Sequence, residues 1–164
     1  MATGDSLHTF VPGGHEPPAT NYATLDLRNA HPVLDFDATT SETVYWTDVL
    51  SREYGGGGIT LTVIWAATTA VTGNVVWEAA FERLEDEGTD IDADSFAAVQ
   101  AVTSTAPATS GALQYGAITF TNGAQIDSLA VGEAFRLLLR RAPADAGDTM
   151  AGDAEAVAVE LRET

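Results

Sequence analysis

The run from Ile59 to Leu84 constrains the fold more than any other stretch. Ile59, Leu61, Val63 and Trp65 fall on one side of an extended segment while Thr60, Thr62 and Ala66 fall on the other, the period-two alternation of a strand with one buried face. After Thr-Thr-Ala-Val-Thr-Gly (68–73) a second set recurs at Val75, Trp77, Ala79 and Phe81, with Glu78 and Glu82 facing away. The pattern predicts two neighbouring strands joined by a small-residue turn. Their tryptophans anchor a core, since each can bury about 150–250 Å². Trp77, Phe81 and Leu84 also suit helical spacing, and residues 78–87 have high helix propensity. Because Asn74-Val75-Val76-Trp77 starts as a strand and no capping residue intervenes, a strand through Leu84 is expected.

The same alternation recurs along the chain. Strands are expected at Tyr22 to Leu27, Val33 to Phe36, Thr43 to Leu50, Phe96 to Thr105, Leu113 to Thr121, Glu133 to Arg141 and Asp153 to Arg162. Ala124 to Leu129 suits one helical turn. The glycines Gly55 to Gly58 lack the following Lys-Ser/Thr of a phosphate loop and read as a turn. So many short strands with almost no helix predict an all-β, antiparallel two-sheet sandwich of jelly-roll type over residues 22–164. Residues 1–21 contain Pro12, Gly13, Gly14, Pro17 and Pro18 and read as an extended N-terminal arm. Leu7, Phe10 and Val11 are its candidate contacts with a capsid or neighbouring subunit; the alternative is a frayed tail.

A chain of 164 residues can close a core without a metal or disulfide staple. Cysteine is absent, which removes thiol catalysis, thiolate metal sites and disulfides. With 24 acidic residues against 7 basic ones, the net charge of −17 repels phosphate backbones and anionic lipid, so neither a nucleic-acid nor a membrane partner is expected. A soluble chain is expected, because no run approaches the eighteen or so apolar residues of a membrane span. All seven basic residues are arginine. Such a surface self-repels at low salt and is relieved in molar salt, the signature of a salt-adapted protein; an acidic protein from a GC-rich genome is the plainer alternative.

Few residues suggest chemistry. Asp90, Asp92 and Asp94 have the D-x-D-x-D spacing that places hard oxygen ligands around calcium or another divalent cation, although the glycine and the final glutamate of that loop type are missing; the alternative is a solvated acidic turn. His8, His15 and His31 all lie in or near the arm, where a surface role is expected. No serine sits in a Gly-x-Ser-x-Gly elbow, and carboxylates are too abundant for any pair to be informative. An enzyme is not expected.

Four segments resemble a known family: His31-Pro-Val-Leu-Asp-Phe-Asp-Ala-Thr-Thr, Phe81-Glu-Arg with Asp92-Ala-Asp-Ser-Phe, Asn122-Gly-Ala-Gln-Ile-Asp-Ser-Leu, and Gly152-Asp-Ala-Glu with Val159-Glu-Leu-Arg-Glu. Over about residues 21 to 164 the chain resembles small virion structural proteins of tailed bacterial and archaeal viruses. With the salt-adapted composition, the resemblance implies a virus of a halophilic archaeon and a virion component without catalytic residues. The role it suggests is a capsid decoration protein, a homotrimer on the outer capsid surface bound to the major capsid protein. The partly apolar second face of the sheets, for example Ile64, Val76 and Leu138, suits subunit contact, the alternative being that these residues pack inside the sandwich. The alternative is a turret, fibre or tail module that binds host surface glycans through aromatics such as Trp46, Tyr54 or Tyr115.

Overall fold

Alternation decides which side of each strand is buried, and the computed structural model, which describes residues 4–164, follows it. One antiparallel sheet contains β1 (Ser6–Phe10), β2 (Thr24–Arg28), β3 (His31–Phe36), β5 (Ile59–Ala67), β8 (Gln114–Phe120) and β10 (Ala154–Glu163). Its order is β2-β3-β10-β5-β8, with β1 also paired to β10. The second sheet is β4 (Thr43–Val49), β9 (Ala134–Arg141), β6 (Asn74–Leu84) and β7 (Gln100–Thr105), in that order. Short 3-10 turns occupy Pro12–Gly14 and Ala124–Ile126. The chain is an all-β antiparallel sandwich.

The two sets of alternating apolar residues read from the sequence are wholly buried, and β6 runs as a strand through Leu84. They are not hairpin neighbours, however. β5 lies in one sheet and β6 in the other, and Trp65 meets Trp77 across the core, ring centroids 6.0 Å apart and edge to face. The connection lacks the two-residue Asn-Gly or Asp-Gly signal of a tight hairpin and arches between sheets instead. It ends at Gly73, whose φ of 95° and whose 2.8 Å approach of a notional Cβ to Met150 and Thr149 admit only glycine. Phe36 on Trp77 at 5.0 Å and Phe81 on Phe120 at 4.9 Å extend the edge-to-face packing, each pair contributing about 0.5–1.5 kcal/mol beyond its buried area. The Trp65 indole donates to Ser104 Oγ at 2.9 Å, satisfying a polar group that would otherwise be costly to bury.

The expectation of an N-terminal arm, and with it the boundary between residues 1–21 and 22–164, is corrected. β3 pairs only with Ala154–Ala156 of β10, which leaves the rest of that edge open, and β1 fills it with Phe10 opposite Val159. Phe10 is 3% exposed and packs on Trp46 at 5.5 Å and Phe135 at 6.4 Å. Leu7 packs half-buried against the core. Val11 is exposed, but its carbonyl accepts from the Trp46 indole at 3.2 Å. The chain then crosses to the second sheet, bridging Glu16 to Tyr45 and Tyr22 to Thr43. The segment is extended, yet it is laid on its own domain. Residues 1–3 of the expected arm lie outside the described residues.

The expected strand from Phe96 shortens to Gln100–Thr105, because residues 85–99 fold over the outer face of the second sheet. Phe96 stacks on Tyr45 at 5.6 Å, the Arg136 guanidinium lies over both rings, and Ala97 N donates to Phe81 O at 2.9 Å. Residues 142–149 cover Val76, whose N–H donates to Asp148. Val76 and Leu138 are therefore buried by the chain itself, which removes them as subunit contacts.

Candidate functional site

The outer face of the first sheet stays open, and a concavity forms at one end of it. The β2–β3 hairpin closes through Asn29 and Ala30, at φ 47° and 64°, a two-residue left-handed turn. Alanine is an uncommon choice there, since glycine adopts positive φ at no steric cost. Arg28, just before the turn, folds back over the sheet end. Its guanidinium donates to Ala67 O at 3.0 Å, Thr68 O at 3.3 Å and Ser110 Oγ at 3.2 Å, and pairs with the Glu155 carboxylate. Gly111 makes room for it, because a Cβ there would lie 2.9 Å from Arg28 Nη2.

Between these groups is a cleft of about 350 Å³, within the range of small-molecule sites. Val33, Ala66 and Val157 supply apolar lining, Leu113 adds to it from the segment leading into β8, and Asn29 and His31 come from the hairpin. The Arg28 side chain keeps 34% of its surface exposed while Glu155 is almost buried. His31 Nδ1 lies 3.0 Å from Asn29 O and 3.3 Å from Arg28 O; donating there leaves Nε2 as an acceptor. Tyr115, two residues beyond Leu113, is 60% exposed.

The ground behind Glu155 is acidic. Asp35 is its cross-strand partner. Burial, then the charges of Asp153, Glu155, Asp26 and Glu42, push the Asp35 carboxyl up to about 6. Its Oδ1 is buried with no hydrogen-bond partner. Glu42 is also raised, mainly by burial, whereas the hydroxyl and amide of Thr39 hold Asp37 down at about 2.

The residues singled out from the sequence fall elsewhere. Asp90, Asp92 and Asp94 do not converge. Asp94 is drawn to Arg136 at 2.7 Å, and Asp90 Oδ1 accepts from Asp92 N at 3.0 Å. No three His, Asp or Glu side chains among the described residues are placed to hold a metal ion. The expected calcium loop is thus an acidic turn tethered to the second sheet by arginine. His8 pairs with Asp48 at 2.6 Å and His15 Nδ1 lies 2.7 Å from Pro12 O, so the histidines stay apart. Trp46 and Tyr54 are core residues, leaving Tyr115 as the exposed member of the suggested aromatics. Arg28, Asn29, Leu113 and Glu155 were not singled out from the sequence. The available signal was an arginine, scarce in this chain, set against an Asn-Ala turn.

No family model matches the chain, and no curated protein matches it by sequence. Solved structures do match in shape. A xylan-binding domain from Paenibacillus barcinonensis is 9% identical over 99% of this chain and 97% of its own, with a TM-score of 0.53. Xyl-CBM35, solved with a glucuronic acid-containing disaccharide, is 13% identical over 90% and 91%, TM-score 0.48. A carbohydrate esterase from the Shiga toxin-encoding bacteriophage phi24B is 7% identical over 98% and 99%, TM-score 0.42. The first match supports the jelly-roll form of the sandwich; at such identity it speaks for the fold alone.

Proposed function

We propose that this chain is a non-catalytic glycan-binding module that takes a sugar in the Arg28–Glu155 cleft. The observation that carries the reading is the cleft itself, a preformed concavity on rigid strands with its polar groups already oriented. A pyranose has an apolar C–H face rimmed by hydroxyls. Val157 and Leu113 suit the face over a floor of nearly buried Val33 and Ala66, and Arg28, Asn29 and His31 supply donors and acceptors, with Glu155 holding Arg28 in place. The exposed Tyr115 ring, outside the cleft lining but two residues along from Leu113, offers a stacking platform for a neighbouring sugar. Preorganisation lowers the entropic cost of binding. That a xylan-binding domain shares the sandwich is in keeping with this use of the fold.

The resemblance of residues 21–164 to small virion proteins supports a module borne on a turret, fibre or tail. Capsid decoration keeps that resemblance as its support and loses its anchor, since Phe10 is committed to the core. The test is a glycan array with the isolated chain, repeated with Tyr115→Ala and with Leu113→Trp, which fills the cleft. Retention of a defined glycan set by the native chain, and at least about tenfold weaker binding by both variants with unchanged circular dichroism, is expected. An empty array, or variants that bind like the native chain, refutes the reading.

A further inference from the structure

At the other end of the sandwich, where β5 begins and β8 and β10 finish, two concavities of about 420 and 390 Å³ meet at Asn122. Their chemistry stands out against the rest of the surface. The larger is lined by Gly58, Gln100, Thr119, Thr121, Gln125 and Thr164 together with Phe120 and Asn122. The smaller is lined by glycines 55, 56 and 123, Ser128 and the 129–131 segment beside Tyr54. Among the described residues neither is lined by a charged side chain, in a chain with 24 acidic residues.

The ridge between them is held in place. Asn122 Nδ2 donates to Gly56 O at 2.9 Å while its Oδ1 accepts from Gly123 N at 2.9 Å. Beneath, the buried Glu163 carboxylate accepts from Gly55 N at 3.0 Å and Gly57 N at 3.1 Å, which fixes the glycine loop and spends that charge internally. Gly56 and Gly123 have open space where a side chain would stand. Gln125 Oε1 accepts from Thr121 N at 2.7 Å, and Gln100 Nε2 donates to Ala98 O at 3.1 Å. The Gln125 amino group and the Gln100 carbonyl are thereby oriented, each with hydrogen-bonding capacity to spare. An anionic ligand would meet the repulsion of the whole chain, and the neighbouring Glu163 carboxylate is already held by the Gly55 and Gly57 N–H groups. Fixed carboxamides, threonine hydroxyls and bare glycine backbone suit a neutral ligand rich in hydroxyls.

We infer that this end, lined by uncharged side chains, is a second binding site, for a neutral saccharide, using Gln100, Asn122 and Gln125. It stands apart from the Arg28 cleft and would make the chain bivalent. Two weak sites on one module raise avidity for a polymer long enough to reach both.

The test is an isotope-labelled full-length chain titrated, in molar salt, with neutral xylo-, cello-, malto- and manno-oligosaccharides while amide signals are followed. Saturable shifts of the Gln100, Asn122 and Gln125 side-chain amides are expected with at least one of them. Gln125→Glu keeps the acceptor for Thr121 N but removes the donor, and should weaken that binding about tenfold without unfolding the chain. Tyr115→Ala should leave it unchanged. If none of the oligosaccharides shifts these amides at millimolar concentration, or Gln125→Glu binds as tightly as the native chain, the second site does not exist, whatever happens at the cleft. If Tyr115→Ala abolishes the shifts, there is one site and the inference is wrong. Shifts that persist while the cleft variants leave the array unchanged would sink the cleft and spare this site.

Discussion

Replacing Arg141 by methionine tests how the second sheet is closed at the end where residues 142–152 fold back. Arg141 is completely buried. Its Nε and Nη2 donate to the two Asp148 oxygens at 3.0 and 2.8 Å, and Nη1 and Nη2 donate to Gly152 O at 2.7 Å and Met150 O at 2.8 Å. Methionine keeps most of the stem's packing. It strips Asp148 of its counter-charge, leaving only the Val76 N–H at 3.0 Å, and orphans two carbonyls. Removing one partner of a buried ion pair costs about 3–5 kcal/mol, and a chain of this size loses about 2–4 °C of Tm per kcal/mol, so the midpoint should fall by about 6–20 °C. Asp148→Asn should cost a comparable amount by leaving the guanidinium charge uncompensated. The double variant buries neither charge, and should lose less than the sum of the single losses by at least about 1.5 kcal/mol, a coupling expected of residues in direct contact. Thermal and urea melts of the four proteins in molar salt give the cycle. A single variant within about 1 kcal/mol of the native chain, or strictly additive losses, would show that the pair does not close this end.

Phe10→Ala should lose about 3–5 kcal/mol in urea melts, whereas a side chain on a loose arm would lose nothing. Asp35→Asn should stabilise the chain at pH 7. A carboxyl raised to about 6 in the fold from its ordinary value of 3.8 contributes stability that is full below about pH 4 and is lost as pH rises through 6, so the urea midpoints of native and variant should diverge between those values. Ala30→Gly should raise stability by up to about 1 kcal/mol by relieving the left-handed turn, less the entropy gained by the unfolded chain; a loss would mean the alanine methyl is held by contacts. With a net charge of −17, the urea midpoint should climb as salt rises from about 0.1 M to 1 M and the screening length falls from about 10 Å to 3 Å, and a flat response would deny salt adaptation.

The core was legible because its signal is local. Ile59 to Trp65 and Val75 to Phe81 alternate within single strands, and period two says which face is buried without saying where the strand goes. That is why the burial of Trp65 and Trp77 was plain, while their meeting across two sheets was not. Phe10 was misread for a related reason. Prolines and glycines surround it, and only the open edge of β10, formed 149 positions later, gives its five-residue strand a partner. The cleft was opaque on the same ground. Arg28 and Glu155 are 127 positions apart and meet through the β2–β3 and β3–β10 registers, which no spacing in the sequence spells out. The Asp90, Asp92 and Asp94 run failed in the opposite way. The spacing was visible, but the pull of Arg136 on Asp94 was not.

The placement of β10 has a consequence for biosynthesis. It pairs with β1, β3 and β5, joining the β2–β3 hairpin to the β5–β8 pair and giving β1 its partner, and it is the tenth to be made. At ordinary translation speeds, on the order of ten seconds or more separate the emergence of Phe10 from that of Val159. Through that interval the nascent polypeptide carries a half-built sheet with exposed strand edges. Closure of this sheet therefore waits until β10 has cleared the ribosome, and a stop codon placed ahead of β10 would yield a chain that aggregates rather than a smaller sandwich.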